Sequence, residues 1–534
     1  MFITVHCSNR TDRHIQGNGQ PTARLRRLSI VKTLALFHLI ITAVPLATYA
    51  DPSTYHLQTD TEPRYQHHVD YELIDSYWEW NRIRRAFSDL IERYPEDYTY
   101  EQGAWYFFNV ERCFRLDIYC FGNNPSTPYG YPVFANRTYE PEGSTGFMLD
   151  NTEAVVLLLQ TPPAVRYYGI TPYVQARMIL DAIIPGKRRI VLGSFADTLN
   201  YLRINAVEKG SDTLTTFDGL AAVILTSNHA VAENLERRLI ESGLSPNGIN
   251  IIEIPTISES MPLYTGYNTE ADEFTLIMRV GLPLVSEELD MWLDLEPLAV
   301  WRIGVPDTEF ELFDASPYEE RRTNYYEHSV VQNSLARMNS LITALKRRHS
   351  ELTPRVFPKG HWVSTKGKAC ITDYELCNAD NQDALYRQED VDIPLYLTSD
   401  PENFWYLIGA AHRNTGKATY TNHSIYLKRL AAGVASITDE NATGSAAYYA
   451  EPHAEGLEIG DYEDFYVFRV ARDCDPEELD LGYCLEVPYP EPGQPIGVMD
   501  NDELFTFSRL YVETSSGVGP IPSEVIGSWM MVYE

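Results

Sequence analysis

The chain has 534 residues, 44% of them hydrophobic, and a formal net charge of −32. That length holds two to four domains' worth of core, and that hydrophobic content builds a globular interior. The acidity argues against a nucleic-acid partner, because phosphate binding needs a basic face.

The charge is unevenly placed. Residues 1–50 carry Arg10, Arg13, Arg24, Arg26, Arg27 and Lys32 against Asp12. The apolar run Leu34–Leu46 follows, and the small residues Ala47–Ala50 close the region. These are the three parts of a secretory signal. The run is short of the roughly 20 residues that span a bilayer, and Pro45 interrupts it. The expectation is export to the periplasm or the extracellular medium, with cleavage after Ala50 and no transmembrane segment in the mature chain.

Residues 51–350 then read as an α/β domain that opens with a helical and aromatic segment. Ile74–Tyr94 has helical spacing, with Trp78, Ile83, Phe87, Leu90 and Ile91 near one face. Ala104–Cys120 is dense in aromatics, as in paired strands, and 123–146 is rich in loop residues. Ala154–Gln160 and Val165–Ile170 are strand candidates, and Thr171-Pro172 opens a predicted helix that runs to Ile184.

The strongest pattern follows. The apolar runs Arg189–Leu192, Ala221–Leu225 and Ile251–Ile254 alternate with two helical patterns. Ser194 and Asp197 have capping-box spacing before the first, and Asn228 precedes the second, with Val231, Leu235 and Leu239 in step. This predicts three parallel neighbours in a mostly parallel, doubly wound, Rossmann-like α/β sheet. Phe274–Leu282 and Ala299–Val305 read as further strands, Glu287–Leu293 and Val330–His349 as helices. Residues 351–534 read as a β-rich domain, with strands at Phe404–Ala411, Ser424–Lys428, Phe465–Ala471 and Phe505–Glu513. The sequence shows no internal repeat.

Cys7 lies in the presequence. The other six cysteines fall into close pairs, Cys113 with Cys120, Cys370 with Cys377 and Cys474 with Cys484. Local closure is the simplest of 15 connectivities. CxxC-type spacing is absent, so no metal site is expected.

In an open α/β sheet, ligands bind beyond the carboxyl ends of the strands. Those positions carry Ser194, Asp197, Ser227 and Asn228, where helix N-termini would hold an anionic or carbonyl group. Plain capping accounts for the same residues. With no GxGxxG and no GxSxG, neither a dinucleotide nor a serine nucleophile is indicated, and no cofactor is expected. A second candidate is the turn from His412 to Tyr420, which gathers His412, Arg413 and Lys417. Asp380 and Asp383 stand upstream. Their stretch matches a calcium loop only in part, since Asn378 and Asp383 occupy positions that need Asp and Gly.

Cys377–Tyr386 and His412–Asn422 resemble segments of a family of large exported bacterial proteins of uncharacterised function. That resemblance implies no activity, cofactor or catalytic residue. The residues themselves suggest an exported enzyme acting on a small polar or anionic organic molecule. His412 would be the acid/base, Arg413 and Lys417 the charge stabilisers, and Asp380 or Asp383 the partner carboxylate. The alternatives are a small-molecule binding protein and a surface or structural interaction protein. The oligomeric state is not legible.

Overall fold

Ala154, Val156 and Leu158 point one way from the strand Glu153–Gln160, and Val155, Leu157 and Leu159 point the other, yet all six are fully buried. A strand covered on both faces lies inside a stack of layers. The structure, a computed structural model, describes residues 71–135, 145–179, 187–313, 324–358, 361–363, 368–373, 375–388 and 393–534. The secretory-signal reading, with Cys7 and the Ala50 junction, lies outside the described residues.

One face of that strand packs on the helices Tyr71–Arg93 and His229–Glu241, through Phe87, Ile91, Val231 and Leu235. The other face packs on a second sheet, through Tyr168, Ile170, Phe274 and Leu276. The first half of the chain is therefore helices, an outer sheet and an inner sheet. The second half repeats the stack. Met338, Leu341 and Leu345 of the helix Ser334–Arg348 cover an outer sheet containing Phe404–Ala410. The other face of that sheet meets an inner sheet containing Tyr420–Leu427. Tyr167 of one inner sheet and Tyr420 and Tyr511 of the other share a cluster, so the two inner sheets face each other across a seam.

The predicted Rossmann-like architecture is wrong. Among the described residues there are four sheets, and their ladders are antiparallel except for two pairs. Ala221–Leu225 does run parallel to Ile249–Glu253, with His229–Glu241 as the crossover helix. Arg189–Leu192 belongs to another sheet, as part of Lys187–Ser194, antiparallel to Val165–Ile179. The helix predicted after Ser194 and Asp197 is instead a two-residue strand, Leu199–Asn200, and a turn. For Leu220–Thr226, which lies between Glu153–Gln160 and Ile249–Glu253, the physical reason is double burial. A strand covered on both faces reads as a continuous apolar run whether its neighbours are parallel or antiparallel. The helix predicted from Thr171 is overturned too: the strand runs unbroken from Val165 to Ile179. Its period-two pattern sends Tyr168, Ile170 and Val174 to the core and Tyr167 and Tyr173 to the seam.

The topology repeats, although the sequence shows no repeat. The outer sheets order their strands as Thr99–Gln102, Leu298–Gly304, Glu153–Gln160, Leu220–Thr226 in the first half, and as Arg355–Pro358, Trp529–Tyr533, Phe404–Ala410, Phe465–Ala471 in the second. In each the last of these strands has a parallel partner, Ile249–Glu253 or Cys484–Glu486, and in the first half Leu220–Thr226 is also met by the short hairpin of Ala206–Val207 and Leu214–Thr215. The inner sheets match in the same way, and strands succeed one another along the chain in the same order. Each half also places a disulfide seven residues wide before its inner-sheet strand, Cys113–Cys120 and Cys370–Cys377. After each come two left-handed residues, Phe121-Gly122 and Asn378-Ala379. The third disulfide is Cys474–Cys484, so all three local pairs form. No helix among the described residues is long and apolar enough to cross a membrane.

Candidate functional site

The structure divides the residues singled out from the sequence. His412 is buried at the end of the strand Phe404–Ala410, and its Nδ1 lies 2.8 Å from Glu327 Oε1. Glu327 also accepts from Thr415 Oγ1 at 2.5 Å and from the Ile526 N–H at 2.6 Å. Burial works to raise this carboxyl, but His412 and these donors outweigh it and hold it below the usual range. Lys417 is fully buried and donates to Glu513 at 2.8 Å and Glu524 at 2.9 Å. Burial works to lower its pKa, and the two carboxylates override that and raise it. Arg413 is half-buried on the same turn. A lysine held charged between two glutamates is poorly suited to catalysis and well suited to tying a turn down.

Asp380 and Asp383 serve the seam instead. Asp380 accepts from the Ser194 N–H at 2.7 Å and the Ser194 hydroxyl at 2.6 Å. Asp383 accepts from Tyr167 at 3.1 Å and Asn200 Nδ2 at 2.9 Å. Ser194 is thus a strand residue and not a helix cap, and Asp197 pairs with Arg203 at 2.9 Å. Ser227 donates to Asn151, and Asn228 caps the helix His229–Glu241 through the Ala230 N–H at 3.0 Å. Capping and packing account for this set.

Sequence reading missed the seam itself. The turn after Cys377 bonds to the first half, Cys377 N–H to Val191 O and Ala379 N–H to Leu192 O. The turn after Cys120 bonds to the second half in the same way, Cys120 N–H to Leu430 O and Gly122 N–H to Ala431 O. Leu192 and Ala431, which accept the second bond of each set, are both left-handed at φ 46°. Two arginines stand between these turns. In Glu273–Pro283 alternation buries Leu276, Met278 and Val280 in the core, which turns Arg279 to the seam. Arg509 occupies the matching place in Leu504–Tyr511.

Arg279 is 1% exposed and Arg509 3%. Arg279 donates to Tyr173 at 2.8 Å and to Ala379 O at 3.2 Å, and Arg509 donates to Gly122 O at 2.7 Å. Arg279 lies over the Tyr129 ring at 5.0 Å, and Arg509 over Tyr386 at 5.8 Å and Tyr426 at 5.6 Å. Among the described residues neither guanidinium forms an ion pair with a carboxylate. Arg279 Nε and Arg509 Nε and Nη1 have no hydrogen-bond partner there. A buried cation without a counter-charge is costly, and tyrosine faces and carbonyls offset only part of that cost.

The phenols divide by environment. Burial pushes Tyr167, Tyr173, Tyr386 and Tyr511 up. Tyr129 goes the other way: burial works to raise it, but Arg509 and Arg279 outweigh burial and lower it. Tyr129 is also half-buried, where Tyr167, Tyr173, Tyr386, Tyr420, Tyr426 and Tyr511 are buried. The seam thus presents two fixed positive charges, free N–H donors and one phenol held below its usual range. Among the described residues no cluster of His, Cys, Asp and Glu has a metal-binding arrangement.

No family model matches the chain, and no curated protein matches it. A solved structure of an uncharacterised protein from Burkholderia cenocepacia is similar to it at 10% identity and a TM-score of 0.35, over 86% of this chain and 94% of that one.

Proposed function

We propose that the protein binds a small organic anion at the seam, with the Arg279 and Arg509 guanidiniums as its charge partners, and that it works outside the cytoplasm. The first part is carried by the pair of buried guanidiniums with open N–H groups and, among the described residues, no carboxylate partner. Arginine suits this role because its planar fork matches carboxylates and phosphates. The second part is supported by the three disulfides and by the signal-like region before Asp51. Calorimetry and thermal melting with millimolar carboxylates and inorganic phosphate test the site. Binding that stabilises the wild type and is lost in Arg279→Gln and Arg509→Gln supports it. Failure of every small anion to bind refutes it.

Tyr129 favours a second, enzymatic reading, in which its phenol exchanges a proton with the bound anion. Deuterium exchange at a carbon next to the anion's acid group, followed by NMR, would then be lost in Tyr129→Phe while binding persists.

A further inference from the structure

We infer that the ligand is a dianion, a small organic molecule with an acidic group at each end, one end on Arg279 and the other on Arg509. This rests on the anion-binding reading above and specifies the charge and form of the ligand. The observation behind it is equivalence. Arg279 pairs across its inner sheet with Gly169, and Arg509 with Asn422, the matching position of the matching strand. Each guanidinium donates to the left-handed turn of the opposite half, at Ala379 O and Gly122 O. Each also lies over the tyrosine beside it in its own inner sheet, Tyr129 or Tyr386.

The two arginines are thus one binding element built twice. A ligand with one acidic group satisfies one copy and leaves the other guanidinium buried without a counter-charge. A ligand with two acidic groups satisfies both and meets the open N–H groups on each side, Arg279 Nε and Arg509 Nε and Nη1. The side chains differ around the pair, with Tyr511 beside Arg509 at the strand position where the first half has Gly281, so the two ends need not be chemically identical.

The test is calorimetry on the wild-type protein with matched pairs of probes: acetate, propionate and butyrate against malonate, succinate and glutarate. A dicarboxylate that binds at least about tenfold tighter than its monocarboxylate partner is the expected result. In Arg279→Gln and in Arg509→Gln the advantage should disappear, to a similar degree in each. If monocarboxylates bind the wild type as tightly as dicarboxylates, the dianion inference falls and the anion site stands. If no carboxylate binds, both fall. Should either variant fail to fold, the wild-type comparison decides alone.

Discussion

Tyr173 donates its phenol hydrogen to the main-chain carbonyl of Asp380 at 2.6 Å, from one half of the chain to the other. Tyr426 makes the reciprocal bond to the carbonyl of Asn123 at 2.7 Å. The partners hold equivalent places in the two halves, so the seam is sewn twice with the same stitch. Tyr173→Phe and Tyr426→Phe should each leave a carbonyl underused and cost about 1–2 kcal/mol. Urea unfolding followed by tryptophan fluorescence reads this. A neutral effect of both would remove these bonds from the account of how the halves hold together.

The two matching disulfides brace the turns that make those contacts. Each closes a loop of sequence separation 7, which in the chain-entropy model is worth about 2.5 kcal/mol. Replacing both cysteines of either pair by alanine should lower the unfolding midpoint by comparable amounts. Thiol labelling of the denatured, unreduced protein should find none of the six reactive.

Tyr129 makes a spectroscopic prediction. Its phenol is lowered by Arg509 and Arg279, so the folded protein should show one tyrosine ionising below the ordinary range, visible as phenolate absorption. A lowered acid adds stability that is present above its unfolded pKa and lost as pH falls through the folded one. The early phenolate should vanish in Tyr129→Phe. It should also move upward when an anion occupies the seam, because the ligand competes for the same two positive charges.

Asp439 carries the opposite sign. Burial raises its carboxyl to about 6, against the Thr421 N–H, Arg413 and His412, which pull it down. The folded state therefore holds this proton more tightly than the unfolded chain, and stability falls as pH rises from about 4 through about 6. Asp439→Asn should be more stable than the wild type at pH 8 by about 2–3 kcal/mol. The gain should shrink to nothing near pH 4. Thermal melts across that range measure it, and a gain independent of pH would show that the charge is not the cause.

How much of this was legible in the sequence depends on the range of the signal. Helices with a one-sided apolar stripe, such as Ser334–Arg348, and the crossover behind Asn228 were readable, because their period of 3.6 lies within one window. Sheet direction was not, because Glu153–Gln160 and Leu220–Thr226 are buried on both faces and show no alternation. The repeat left one visible trace, the equal spacing of Cys113–Cys120 and Cys370–Cys377. The arginine pair left none: Arg279 and Arg509 are far apart in sequence, and each meets the other's turn only through the reciprocal packing of the halves.

His412 is where the geometry most changes the expectation. A strand-end imidazole beside Arg413 and Lys417 reads as an acid/base at a pocket mouth, and its removal would then spare stability. In the structure His412 is 3% exposed and its Nδ1 meets Glu327, which is fully buried. Among the described residues, removing the imidazole leaves that carboxylate with the Thr415 hydroxyl and the Ile526 N–H. Breaking such a buried pair costs about 3–5 kcal/mol, so His412→Ala should melt well below the wild type at neutral pH. Glu327→Gln removes the stranded charge, so His412→Ala should cost much less in that background. The coupling in this double-mutant cycle is the deciding quantity. Because Glu327 is held below the usual range, its contribution is present above the ordinary glutamate pKa and lost as pH falls through the folded value. The coupling should fade in the same direction. An imidazole serving catalysis alone would give a His412→Ala variant of unchanged melting temperature and no coupling to Glu327.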